Sequence, residues 1–216
     1  AGRPLLMAAA ALLVILLVLP SATASSPYIT VLAIDLLTAA LFAASLHFIM
    51  GPAGMHSFGH AAYFGLGAYA AALLMLKAGW AMEAALLGAP LMAGLGALVF
   101  GWFCVRLSGV YLAMLTLAFA QIVWSVTFQW DEFTGGSNGL TGVWPAEWLS
   151  SKTAYYFLTL GAVVGGVLML RRVLFSPFGL AMRAGRDSPL RADAIGIDVK
   201  KIQWAAFVLA AVAAGL

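Results

Sequence analysis

Long apolar runs, separated by short charged or glycine-rich segments, set the pattern of this chain. The runs are 5–24, 28–50, 58–76, 85–104, 109–129, 154–170 and a last one beginning at 202. Each is close to the roughly 20 residues that a helix needs to cross the hydrocarbon core of a bilayer. They do not alternate, and in lipid every backbone polar group must be paired within its own structure, so the runs predict helices and not a barrel. The expected fold is all-α, a polytopic transmembrane helical bundle with about seven spans.

Composition agrees with the pattern. Hydrophobic residues make up 64% of the 216 and charged residues only 9%, with a mean hydropathy of +1.02. A soluble domain carries roughly 25% charged residues. The net charge of +3 does not describe a nucleic-acid surface. Seven of the eleven Lys and Arg residues fall in 171–201 (Arg171, Arg172, Arg183, Arg186, Arg191, Lys200 and Lys201), against Asp187, Asp193 and Asp198. A basic block between two apolar runs reads as a cytoplasmic loop. Counting spans back from it places Arg106, the 51–57 turn and Arg3 inside. It places the acidic 130–153 loop, Lys77–Glu83 and the 20–27 turn outside. The lone cysteine, Cys104, excludes an internal disulfide.

Residues 1–27 read as a first span or a signal-like anchor. Arg3, the apolar core Leu5–Leu19 and Ala22-Thr23-Ala24 imitate a secretory signal with a small-residue cleavage site. The six further runs favour a retained span. With no initiator Met, and with Leu216 inside an apolar run, both ends read as truncated.

Within the basic block, 188–196 predicts a short helix. Ser188 suits the N-cap, Pro189 the first helical position, and Gly196 a left-handed C-terminal stop. Gly51-Pro52-Ala53-Gly54, followed by Gly59, Gly65 and Gly67, interrupts the apolar stretch around it. It is either a tight cytoplasmic turn or a broken helix near the midplane, where unwound backbone is tolerated if it lines a cavity.

Several residues are candidates for chemistry. His56 and His60 stand four apart, a spacing that on a helix puts both imidazoles on one face, as metal sites use. A third ligand would have to come from Asp35 or His47, no Glu adjoins His56, and no cysteine is near. Hydrogen bonding in packing or along a polar pathway, together with Ser57, is therefore preferred to metal binding. Asp35, inside the second run, is either a functional carboxylate or an interfacial one. Gln121, Ser125 and Gln129 form a polar stripe that suits a solute path or helix–helix association. Gly161 and Gly165 suggest a small-residue packing face. The glycine-rich 134–142 segment has no following Lys-Ser/Thr and no preceding strand, so it predicts a tight turn beside a short surface helix at Pro145–Trp148.

Residues Gly51-Pro52-Ala53-Gly54-Met55-His56-Ser57-Phe58-Gly59-His60-Ala61-Ala62-Tyr63-Phe64-Gly65-Leu66-Gly67-Ala68-Tyr69 closely resemble the signature of branched-chain amino acid ABC importer permeases. Gly109–Gln121, Thr134–Leu140 and the region from Phe178-Gly179 to Ile197 resemble further family segments, in one consistent order over 28–216. His47, Pro52 and His56 depart from the commoner family residues. The resemblance implies a single transmembrane permease domain over 1–216, in the inner membrane, with further spans beyond Leu216. It implies a second permease subunit, two cytoplasmic ATPase subunits and a periplasmic solute-binding protein as partners. No cofactor or metal is implied. The chain has no Walker A motif, so ATP hydrolysis is expected in the separate subunits and no enzymatic activity here.

The expected solute pathway comprises Gly51, Gly54, His56, Ser57, Gly59, His60, Tyr63, Gln121, Ser125 and Gln129. The expected ATPase coupling surface lies in the 171–201 loop, at Arg186, Leu190, Arg191, Asp193, Ala194, Ile195 and Gly196. A urea or short-amide importer on the same scaffold is the alternative. An intramembrane enzyme using Asp35, His47, His56 and His60 is a third reading, and it leaves the 188–196 helix without a role.

Overall fold

The computed structural model describes residues 3–22, 27–149 and 151–216. Among the described residues it has no strand and ten α-helices: α1 (Arg3–Ala22), α2 (Pro27–Met50), α3 (Ala61–Leu76), α4 (Met82–Cys104), α5 (Gly109–Gln129), α6 (Asp131–Thr134), α7 (Lys152–Leu174), α8 (Pro177–Asp187), α9 (Pro189–Ala194) and α10 (Val199–Ala214). Four segments, Tyr28–Met50, Met82–Cys104, Gly109–Gln129 and Lys152–Leu174, are helices long and apolar enough to cross a membrane. The runs at 5–24 and 58–76 give the shorter apolar helices Ala11–Ser21 and Ala61–Leu76, and the last run lies in the 16-residue α10. Four of the seven expected runs therefore reach spanning length. Thr23 and Ala24, in the cleavage-like motif, lie outside the described residues.

The chain packs as two compact units, residues 1–40 with 145–164 and residues 41–144 with 165–216. Within the first, the Tyr156 hydroxyl donates to the Leu16 carbonyl at 2.8 Å. The second contains the main core. Its centre is a seam where α4 packs against α3 and α10. The buried face of α4 is Ala85, Gly88, Ala89, Ala93, Gly94, Ala97, Gly101 and Cys104, and α10 presents Ala206, Ala210, Ala211 and Phe207. Small residues let backbones approach closely where lipid supplies no hydrophobic drive between helices. At Gly67 of α3, an added Cβ would collide with the backbone of Gly215. Cys104 ends α4 fully buried in this seam. At Gly161 and Gly165, the expected packing face, an added side chain would meet nothing within 4 Å among the described residues. The glycine that packs is Gly166, against Leu41.

Within the second unit, charged residues meet in two separate groups. At one end Lys77 Nζ donates to the Glu132 carbonyl at 2.6 Å and lies 4.5 Å from the centre of the Phe133 ring. At the other end Arg186 Nη1 reaches the Gly51 carbonyl at 3.0 Å, and Arg106 shares a cavity with Lys200 and Lys201.

The basic segment 171–201 is mostly helical, which the loop reading missed. Helix α7 runs on through Arg171 and Arg172, and α8 follows with Ser176 at its N-cap and Pro177 in the first turn. The turn between them is tight: a Cβ at Gly179 would fall on the Leu174 carbonyl. Arg183 fixes it by donating from Nη2 to that same carbonyl at 2.7 Å. The expected short helix is present as α9. Ser188 occupies its N-cap, although the hydroxyl makes no capping bond. At the other end Gly196 has φ +86°, its N–H donates to the Asp193 carbonyl, and the Ile197 N–H donates to the Ala192 carbonyl. That pair of bonds is a Schellman stop, which satisfies two otherwise orphaned carbonyls.

Candidate functional site

The connection between α2 and α3, residues 51–60, is non-helical because its own backbone folds back on α2. Gly51 N–H closes the helix on the His47 carbonyl at 2.8 Å, and Met55 N–H returns to the Ile49 carbonyl at 3.1 Å. Gly54 sits at φ +68°, which favours glycine. Pro52, Ala53, Met55, Ser57, Gly59 and His60 are all buried. The connection is a folded-back turn between α2 and α3.

Two contacts from distant elements hold the turn. Arg186, at the end of α8, hydrogen-bonds the Gly51 carbonyl, and its aliphatic stem occupies the space that a Cβ at Gly54 would take. The same guanidinium pairs with Asp187 at 2.7 Å. At the far end of the turn, Phe58 N–H donates to Thr116 Oγ1 of α5 at 3.1 Å. Beside it, a Cβ on Gly59 would fall on the Thr116 carbonyl. The glycine there is a requirement of close backbone approach.

His60 lies at the start of α3 and is 2% exposed. Its Nε2 is 2.9 Å from Ser45 Oγ, which in turn donates to the Phe42 carbonyl at 2.7 Å. One hydroxyl has one hydrogen, so with both bonds made Nε2 is the donor and Nδ1 carries a lone pair. Nδ1 is buried without a hydrogen-bond partner among the described residues, and so is Ser57 Oγ. Tyr63 turns into the core, edge-on to Phe207 at 5.5 Å. His56 is exposed, so the two histidines do not share a face; the spacing argument needed a helix, and this segment is a turn. Asp35 and His47 are exposed on α2. Among the described residues no three His, Cys, Asp or Glu side chains come together as a ligand set.

A groove of about 410 Å³ runs between α3 and α5. Phe58, Ala61, Ala62 and Gly65 form one wall, and Gln121, Trp124 and Thr127 stand on the other. Of the polar stripe, Gln121 lines this groove, while Gln129 Nε2 donates to Ser125 Oγ at 2.6 Å, one turn apart on the same helix. Apolar walls with a few polar groups, at this size, suit a small amphipathic ligand.

Helix α9 is the other candidate surface. Leu190 is 84% exposed and Ile195 75%, and Arg191, Asp193 and Ala194 are also exposed. Only Ala192 of this helix is buried, against the rest of its unit. Sequence reasoning missed Thr116, Ser45 and the link from Arg186 to Gly51. The first two are common polar residues in apolar helices, and the third joins positions 135 apart.

The family model described as branched-chain amino acid transport system / permease component matches residues 28–216. The chain is similar to the high-affinity branched-chain amino acid transport system permease protein LivM of Escherichia coli (strain K12), with 29% identity over 198 residues, 79% of this chain and 46% of the relative. It is 27% identical to LivM of Salmonella typhimurium over the same shares. The chain thus spans about half the length of the curated relatives it matches. No solved structure matches.

Proposed function

Because the chain belongs to the branched-chain amino acid transport permease family, we propose that it builds part of the transmembrane route of an ATP-driven importer for branched-chain or other hydrophobic amino acids. Its four helices of spanning length make it an integral membrane protein of that family. The proposal places it in the inner membrane beside a second permease subunit. A periplasmic binding protein delivers solute, and two cytoplasmic ATPase subunits hydrolyse the ATP. The chain itself is a conduit and not an enzyme.

One observation carries the mechanism: the bond from Arg186 Nη1 to the Gly51 carbonyl. It joins α8, which packs against the exposed α9, to the turn that ends in Gly59 against α5. A push on α9 from a partner can therefore reach the turn, and through Phe58 the groove that holds Gln121. The solute proposed for this groove lays its apolar side chain along Ala61, Ala62 and Trp124 and presents a polar group to Gln121. His56 and Ser57 belong to the same turn, with His60 and Tyr63 as its supports in the core.

The deciding experiment is import by the reconstituted full-length complex, with labelled leucine and labelled urea compared at equal ATP. Accumulation of leucine supports the proposal. Accumulation of urea without leucine assigns the scaffold to short amides instead. Arg186→Ala is expected to lower leucine uptake by roughly three- to tenfold while the ATPase still co-purifies, since one partly exposed charged hydrogen bond is lost.

A further inference from the structure

A cavity of about 380 Å³ opens between the last turn of α4 and the first turns of α10. Arg106, Lys200 and Lys201 line it together with Asp198, Trp102 and Trp204. Lys201 is committed to Asp198 at 3.0 Å. Arg106 and Lys200 have no carboxylate partner among the described residues. The aromatic walls are fixed in place. The Trp204 indole N–H donates to the Leu98 carbonyl at 3.1 Å, the two indoles meet edge to face at 5.6 Å, and the Arg106 guanidinium lies 4.7 Å from the Trp102 ring.

Two unpaired cations in one concave site recognise an oxyanion, and a guanidinium offers it a bidentate fork. A phosphate meets that description whether it is free or esterified in a lipid. The surroundings decide between the two. Leu95, Val99, Trp102 and Phe103 are exposed in succession along α4, leading away from the cavity as an apolar track. Indoles with basic residues at the end of spanning helices mark the level of the headgroups. We propose that this cavity binds the phosphate of an anionic phospholipid, with the acyl chains lying along α4. The site uses none of the residues assigned to the solute route, so it stands or falls independently of the transport reading.

The test is native mass spectrometry of the full-length protein in neutral detergent, offered equal phosphatidylglycerol and phosphatidylcholine. Retained phosphatidylglycerol is expected to exceed phosphatidylcholine. The double variant Arg106→Gln with Lys200→Gln should cut it roughly tenfold, because each basic residue near anionic headgroups adds to binding. Arg106→Lys with Lys200→Arg should keep the preference. Both positions are exposed, and the single Gln variants give the same comparison if the double variant does not purify. An unchanged lipid preference in the Gln variants overturns the proposal. So does displacement of the lipid by millimolar inorganic phosphate that itself binds with the same Arg106 dependence, which would make this a small-anion site. Unchanged lipid retention with loss of a co-purifying protein would assign the cavity to that protein.

Discussion

In the seam of α3, α4 and α10, the apolar residues that touch are mostly Ala and Gly, while large ones such as Leu91, Leu95 and Val99 of α4 point outward. In α9 the order is reversed: Ala192 is buried, and the large side chains Leu190 and Ile195 stand among charged neighbours. Outward leucines on α4 need no further explanation, because lipid tails are as apolar as leucine. The exposed pair on α9 lies beside Arg186, Arg191 and Asp193, in a segment too polar for hydrocarbon. The same residue types thus report a solvent in one region and a proposed partner in the other.

The comparison breaks most severely at its closest contact. Gly67→Leu must drive α3 and α10 apart, because the new side chain meets the Gly215 backbone and not a flexible side chain. Overpacking of this kind costs about 3 kcal/mol. A loss of folded protein in detergent thermal melts is the expected result, and a melt like wild type would show that the seam can relax. Gly59→Leu acts at the turn, where the Thr116 carbonyl blocks a Cβ. Uptake should be abolished with membrane insertion intact, and normal uptake would remove the turn from the route.

On α9 the prediction is the opposite in kind. Ile195→Asp should leave stability within about 0.5 kcal/mol, as for most exposed sites. It should nevertheless uncouple uptake from ATP hydrolysis or release the ATPase, because the charge would enter an apolar cleft unpaired. Unchanged co-purification, hydrolysis and uptake would reduce the surface to a topology anchor. The smallest effect is expected at the N-cap of α10. Hydrogen bonds from the Lys201 side chain, then from its backbone N–H, hold the Asp198 carboxyl below its ordinary titration range. A depressed carboxyl stabilises the fold above its unfolded titration and loses that contribution as pH falls through the folded one. Asp198→Ala should therefore lower the unfolding midpoint slightly at neutral pH, with the gap closing in acid.

Legibility followed range along the chain. The runs, the short helix α9 and its Schellman glycine were readable because caps, prolines and apolar length are local signals. Helix α8 carries an equally local signal: Ser176-Pro177 repeats the start signal of Ser188-Pro189, within a segment whose charge density alone suggests a loop. The disfavoured metal reading of the histidine pair finds no support, because a four-residue spacing carries meaning only on a helix, and the folding back of Met55 onto Ile49 denies one. What joined Gln121 to Phe58, or Arg186 to Gly51, was tertiary packing, which no spacing within either segment encodes.

The burial of Cys104 gives the seam a clock. It is the one thiol in the sequence and has no exposed surface. A thiol reagent can reach it only when the end of α4 parts from its neighbours, so at reagent concentrations where modification outpaces reclosing, labelling proceeds at the frequency of that opening. Followed with solute, with nucleotide or at rest, the same unmodified side chain would time how often the seam breathes, and whether the transport cycle passes through it or leaves it shut.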